Sequence, residues 1–132
     1  MNALGFDFLI KTTDVLINDF QDKENGGFYF TSDNHEELIY RPKSYMDESL
    51  PSGNSIAIGA LMELYELTGL TKYIEAVENA INSAHDSLNR SNSSHSSLLL
   101  VAPRTDSSKR LIIIRCEESN LSDNQNLINK LD

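Results

Sequence analysis

Between Arg41 and Asn54 the chain gathers two cations, a carboxylate, a hydroxyl and a carboxamide: Arg41, Lys43, Asp47, Ser52 and Asn54. Arg41 and Lys43 could hold an anionic or hydroxyl-rich ligand, Asp47 could act as acid or base, and Ser52 and Asn54 could bind hydroxyls. The competing role for the same residues is structural. Arg41 would then pair with Asp47 or Glu48, while Ser52, Asn54 or Ser55 would cap the helix that PSGNS opens. Asn54→Ala separates the two roles, because a lost cap lowers stability and a lost ligand contact lowers binding. Pro51 to Ser55 also presents free amides that an anion could use, but no lysine follows Gly53 at the place a phosphate loop requires.

Other reactive residues form no recognisable set. His35, His85 and His95 have no metal-ligand spacing, and the single cysteine, Cys116, is remote from them in sequence, so neither metal nor cofactor is expected. His35 reads as a surface histidine and Cys116 as a buried, inert thiol. There is no GxSxG elbow and no plausible serine triad. Asn89, Asn92 and Asn120 match the N-x-Ser pattern by chance if the protein is not secreted.

The elements that must position these residues follow from periodicity. Leu4, Phe8, Leu9, Val15, Leu16 and Phe20 predict one face of an N-terminal helix. Gly26 and Gly27 break it, and Phe28 to Phe30 reads as a short strand pairing with Leu38 to Tyr40 in a small hairpin. After Pro51 a helix runs to a stop at Gly69, with Ala57, Ala60, Leu61, Leu64 and Leu67 as its packing face. Thr71 can cap the next helix, whose apolar positions are Tyr73, Val77, Ala80, Ile81, Ala84 and Leu88. The short link makes the two an antiparallel hairpin. The serine-rich Asn89 to Ser97 reads as a linker, Arg110 to Arg115 (RLIIIR) as a strand and Asn124 to Leu131 as a helix. The domain plan is therefore 1–88 helical body, 89–97 linker, and 98–132 β-α extension.

Composition limits the partners. Up to Asn89 there are 5 Lys/Arg against 15 Asp/Glu, and beyond it 6 against 5, within a net charge of −9. An acidic body repels phosphate backbones, so nucleic acid is not expected. No apolar run approaches the roughly 18 residues a membrane span needs. The start has no basic region and carries Asp7, so no secretory signal is read, and one cysteine suits a reducing compartment. Cytoplasm is the expected location.

The order of parts from Gly26 to Ala80 resembles the C-terminal section of the thioredoxin-domain proteins grouped with spermatogenesis-associated protein 20. The resemblance is carried by GGFYFT, by Arg41, Lys43 and Asp47 ahead of PSGNS, and by Leu67-Thr68-Gly69 with Tyr73 after it. It covers about half the chain closely and extends loosely into RLIIIR. Asp47-Glu48-Ser49 stands where that family has a small Asp-Gly-Ala step. The resemblance implies a mainly α fold, helical hairpins of an incomplete (α/α)6 toroid similar to the six-hairpin glycosidases, with the Arg41 to Asn54 loop facing a central funnel. Neither the thioredoxin-like part nor most toroid helices lie in this sequence. Three functions are compatible: a toroid fragment without complete activity alone; a sugar epimerase, isomerase or hydrolase site completed by another chain; and a protein interaction module. The expected partners are a second copy or a chain supplying the missing hairpins, and a possible carbohydrate ligand.

Overall fold

Gly69 turns the middle of the chain back on itself. It adopts φ +69°, a left-handed conformation that costs glycine little, and its N–H donates to the Tyr65 carbonyl at 2.8 Å. Helix α2 (Gly53–Thr68) therefore ends there, and α3 (Thr71–Arg90) starts two residues later. In this computed structural model, which describes residues 3–34 and 40–102, the two helices form the centre of the fold. Before them come α1 (Ala3–Val15) and a π-helical turn (Leu16–Phe20). After them come a 3-10 turn (Asn92–His95) and α4 (Ser96–Val101). The described part is mainly helical.

The core lies between α2 and α3. Ala57, Ile58, Leu61, Met62 and Leu64 bury against Tyr73, Ala76, Val77, Ala80 and Ala84, with Leu98 of α4 closing one end. The small residues on α3 let the helices approach closely. Two positions of the expected α2 face, Ala60 and Leu67, are exposed, and Ile58 and Met62 are inside instead. Thr71 is the first residue of α3 rather than its cap; Leu70 occupies the cap position and supplies no side-chain bond.

The face predicted for the first helix is displaced in part. Phe8, Leu9 and Val15 are exposed, while Leu16 and Phe20 pack on the core as expected, joined by Ile10 and Ile17. A π-helical turn accommodates an extra residue, so its side chains rotate out of step with a uniform 3.6-residue pattern. The ion pair of Lys72 with Asp14 fastens α1 to α3.

No strand forms among the described residues; the Phe28 region makes one isolated antiparallel bridge to Gln21. Asp22 N–H donates to the Gly27 carbonyl at 2.8 Å, and Tyr29 N–H to the Phe20 carbonyl at 2.9 Å. Phe30 N–H turns to the Pro42 carbonyl at 3.0 Å, and Pro42 has no N–H to return. The pairing is thus shared among several partners and cannot extend into a ladder. Of the expected second strand, only Tyr40 lies among the described residues, and it is exposed and irregular.

The serine-rich stretch is not a linker. Helix α3 runs on to Arg90, the 3-10 turn and α4 follow directly, and His95 and Leu98 are buried. The serines bond locally: Ser91 Oγ shares a hydrogen bond with Ser94 Oγ at 2.9 Å, and Ser96 Oγ donates to the Ser93 carbonyl at 3.2 Å. Such local bonds let serine replace solvent at the ends of short helices. The expected strand at Arg110 to Arg115, the helix at Asn124 to Leu131, Cys116 and His35 lie outside the described residues.

Candidate functional site

The Arg41 to Asn54 loop runs past the Asp22–Gly27 turn and enters α2. Its first half meets Asp22, a residue the sequence pattern did not single out. Asp22 Oδ1 accepts the amides of Glu24 and Asn25 at 3.1 and 2.9 Å. Its Oδ2 accepts the Tyr29 hydroxyl at 2.7 Å and Lys43 Nζ at 2.8 Å. Burial alone raises the Asp22 carboxyl, but the bonds from Lys43, the Asn25 amide and Tyr29 outweigh it and hold the group well below the usual carboxylate range. The signal for this residue was an aspartate starting a turn ahead of Gly26-Gly27, where it can bond the following amides.

Lys43 also donates to the Gly26 carbonyl at 2.7 Å, and only 17% of its side chain is exposed. Arg41 stacks over the Tyr29 ring with its guanidinium carbon 4.1 Å from the centroid. It pairs with Asp33 and donates to the Thr31 and Asp19 carbonyls. Its carboxylate is therefore Asp33, and neither Asp47 nor Glu48 as the loop's own spacing suggested. Tyr29 is the centre of this half: it bonds Asp22 while Arg41 and Lys43 lie against its ring.

The second half of the loop closes the start of α2. Asp47 accepts the Ser52 amide at 2.9 Å and the Ser97 amide at 2.8 Å, and its own N–H donates to the Ser94 carbonyl at 2.8 Å. The Ser97 and Ser52 amides hold its carboxyl below the ordinary range. Ser52 is the N-cap of α2, accepting the Ser55 amide at 3.2 Å. Asn54 is no cap. Its Oδ1 accepts Phe28 N–H at 2.7 Å, and its Nδ2 donates to the carbonyls of Phe28 and Ser44 at 3.0 and 2.9 Å. The Gln21 bridge uses the flanking groups, so Phe28's own N–H and C=O point away from it. The Asn54 carboxamide meets them as a neighbouring strand's peptide would.

All five candidate residues thus bond to groups of the chain itself. A hollow of about 420 Å³ beside the loop is lined by Phe30, Met46, Leu50 and Pro51, and of the five candidates only Ser52 reaches it. Among the described residues no cluster of His, Cys, Asp or Glu could hold a metal ion, and no helix is long and apolar enough to cross a membrane.

No family model, curated protein or solved structure matches this chain. The residues therefore stand on their own geometry. One juxtaposition was missed entirely from sequence: Ser87 Oγ lies 2.8 Å from His95 Nε2. Its signal was the spacing Ser87, Ser91, His95, which stacks three polar residues across the end of a helix, but the serine-rich composition hid it.

Proposed function

We propose that this chain is a packing section of an (α/α)6-type domain of the spermatogenesis-associated protein 20-like kind, without complete catalytic activity at its Arg41 to Asn54 loop. That loop works as an internal brace joining the Asp22–Gly27 turn, α2 and α4. The observation that carries this reading is the bonding of Arg41, Lys43, Asp47, Ser52 and Asn54 to protein groups. A sugar would have to break those bonds to use the same side chains.

The packing role is supported by an exposed apolar band at the start of α2. Phe30, Leu50, Ile56 and Leu100 are 60–77% exposed. Two hollows adjoin through Pro51: the one lined by Phe30 and Leu50, and a second of about 420 Å³ between α2 and α4 lined by Ile56, Gly59 and Leu100. Contiguous apolar surface of this kind marks an association site, and the occupant that suits it is a helical hairpin presenting its own apolar face. Light scattering and thermal shift test both halves. Association that Leu50→Asp weakens, with no stabilisation by a mixture of reducing sugars, is expected. A monodisperse monomer stabilised by a sugar overturns the reading.

A further inference from the structure

We propose that residues 103–115 of this chain turn back over the hollow between α2 and α4, seating Leu111, Ile112, Ile113 and Ile114 in it as an intramolecular cover. The hollow, about 420 Å³, is walled by Ile56, Gly59 and Ala60 of α2 and by Ser97, Leu100 and Val101 of α4. Its apolar walls are open, with Ile56 60% and Leu100 77% exposed. Gly59 and Ala60 keep its floor low, so another segment can approach α2 closely there.

Chain geometry and charge both select this occupant. Val101 lines the hollow and Ala102 is the last described residue, so the segment that follows starts at the rim. Leu111 stands nine residues beyond Ala102. Extended, that stretch spans about 30 Å, more than the roughly 24 Å of the 16-residue helix α2. A tether of this length holds the apolar run at an effective concentration on the order of millimolar, without recruiting a second chain. Lys109 and Arg110 precede the run and Arg115 follows it, whereas α2 and α4 carry Glu63 and Glu66 and no lysine or arginine. Exposed ion pairs add little energy, but complementary charge sets how the run enters. A second copy, with its net charge of −9, meets repulsion at the same wall. The cover holds whether or not the chain packs into a larger domain; where it does, the segment and the incoming hairpin compete for one surface.

Cross-linking of the full chain tests the cover. Cys116, the single cysteine, directly follows the run. Ala60→Cys places a second thiol at the hollow, and Glu78→Cys places one at an exposed site on α3 outside it. A short bismaleimide should join Cys116 to position 60 within one chain about tenfold or more faster than to position 78, because one tether serves both and only docking separates them. Ile113→Asp should bring the two rates together. Equal rates at the two positions, no link at position 60, or a preference that survives Ile113→Asp overturns the proposal. A link at position 60 between two chains also overturns it, in favour of a second copy in the hollow, and leaves the packing role standing. Leu50 does not line this hollow, so the Leu50→Asp light-scattering result decides the packing role separately.

Discussion

Replacing Asn54 distinguishes a tertiary bridge from a helix cap. Asn54→Ala deletes three bonds at once. Phe28 N–H and C=O then lie in buried surroundings, the residue being 4% exposed, without partners. Each unsatisfied buried group costs about 1–3 kcal/mol, and the half-buried Ser44 carbonyl less because water can reach it. The loss should be roughly 3 kcal/mol, a large share of the 5–15 kcal/mol typical of a domain and above the 0.5–2 kcal/mol of a cap. Urea unfolding measures it. Asn54→Asp sharpens the test, because aspartate caps helices as well as asparagine. Here the new oxygen would face the carbonyls of Phe28 and Ser44, so the ionised form should be destabilising at neutral pH. Its folded-state pKa would then be raised, and the variant should recover relative to wild type as pH falls and the carboxyl protonates. An Asn54→Asp protein as stable as wild type at pH 7, or an Asn54→Ala loss under about 1 kcal/mol, would refute the bridge.

Gly26→Ala and Gly69→Ala should differ although both glycines have positive φ. At Gly69 a Cβ meets nothing within 4 Å, so the cost is conformational, about 1–2 kcal/mol; at Gly26 it would sit 2.2 Å from the Asn79 carbonyl oxygen, and thermal unfolding should show at least twice the loss. The Asp22 carboxyl is depressed when folded, so its stabilisation is present above its unfolded pKa of about 3.9 and is lost as pH falls toward the folded value. Asp22→Asn should therefore be less stable at neutral pH and lose less on acidification, as read by urea midpoints from pH 7 to pH 3. Asp47→Ala should raise hydrogen exchange at the Ser52 and Ser97 amides together, because one carboxylate holds both.

What the sequence disclosed was what short-range chemistry decides. Gly69 ends α2 because a left-handed stop is written in one residue, and Ser52 caps it because a hydroxyl stands three residues before the amide it accepts. The partners of Arg41, Lys43 and Asn54 depend on turns far away in sequence, and nothing local prefers Asp33 to Asp47 for Arg41. The loop's residue types were legible while their task was not: the same donors serve a ligand or a backbone, and only the fold chooses. Along the first helix, Leu16 and Phe20 pack as their periodicity predicts, but Phe8, Leu9 and Val15 fall out of phase because a π-helical turn breaks the 3.6-residue period. The Asn89 to Ser97 stretch reads as a linker by composition, because serine hydroxyls favour solvent, yet here they bond one another and local backbone around buried His95.

The brace also sets the order in which parts can come and go. Helices α2 and α3 meet across a two-residue link, whereas Asn54 reaches Phe28 across 26 residues and Asp47 reaches Ser97 across 50. Lengthening a loop costs little, about 0.6 kcal/mol per doubling, but the distant amides can bond only after α2 exists to hold Asn54 in place. The helical hairpin is accordingly expected to assemble before the brace closes. Hydrogen exchange checks this order: the Phe28, Ser52 and Ser97 amides should exchange faster than those of Ile58 to Leu64. If the brace does open first, the groups that now bond one another would face outward and could exchange partners while the helical hairpin stays packed.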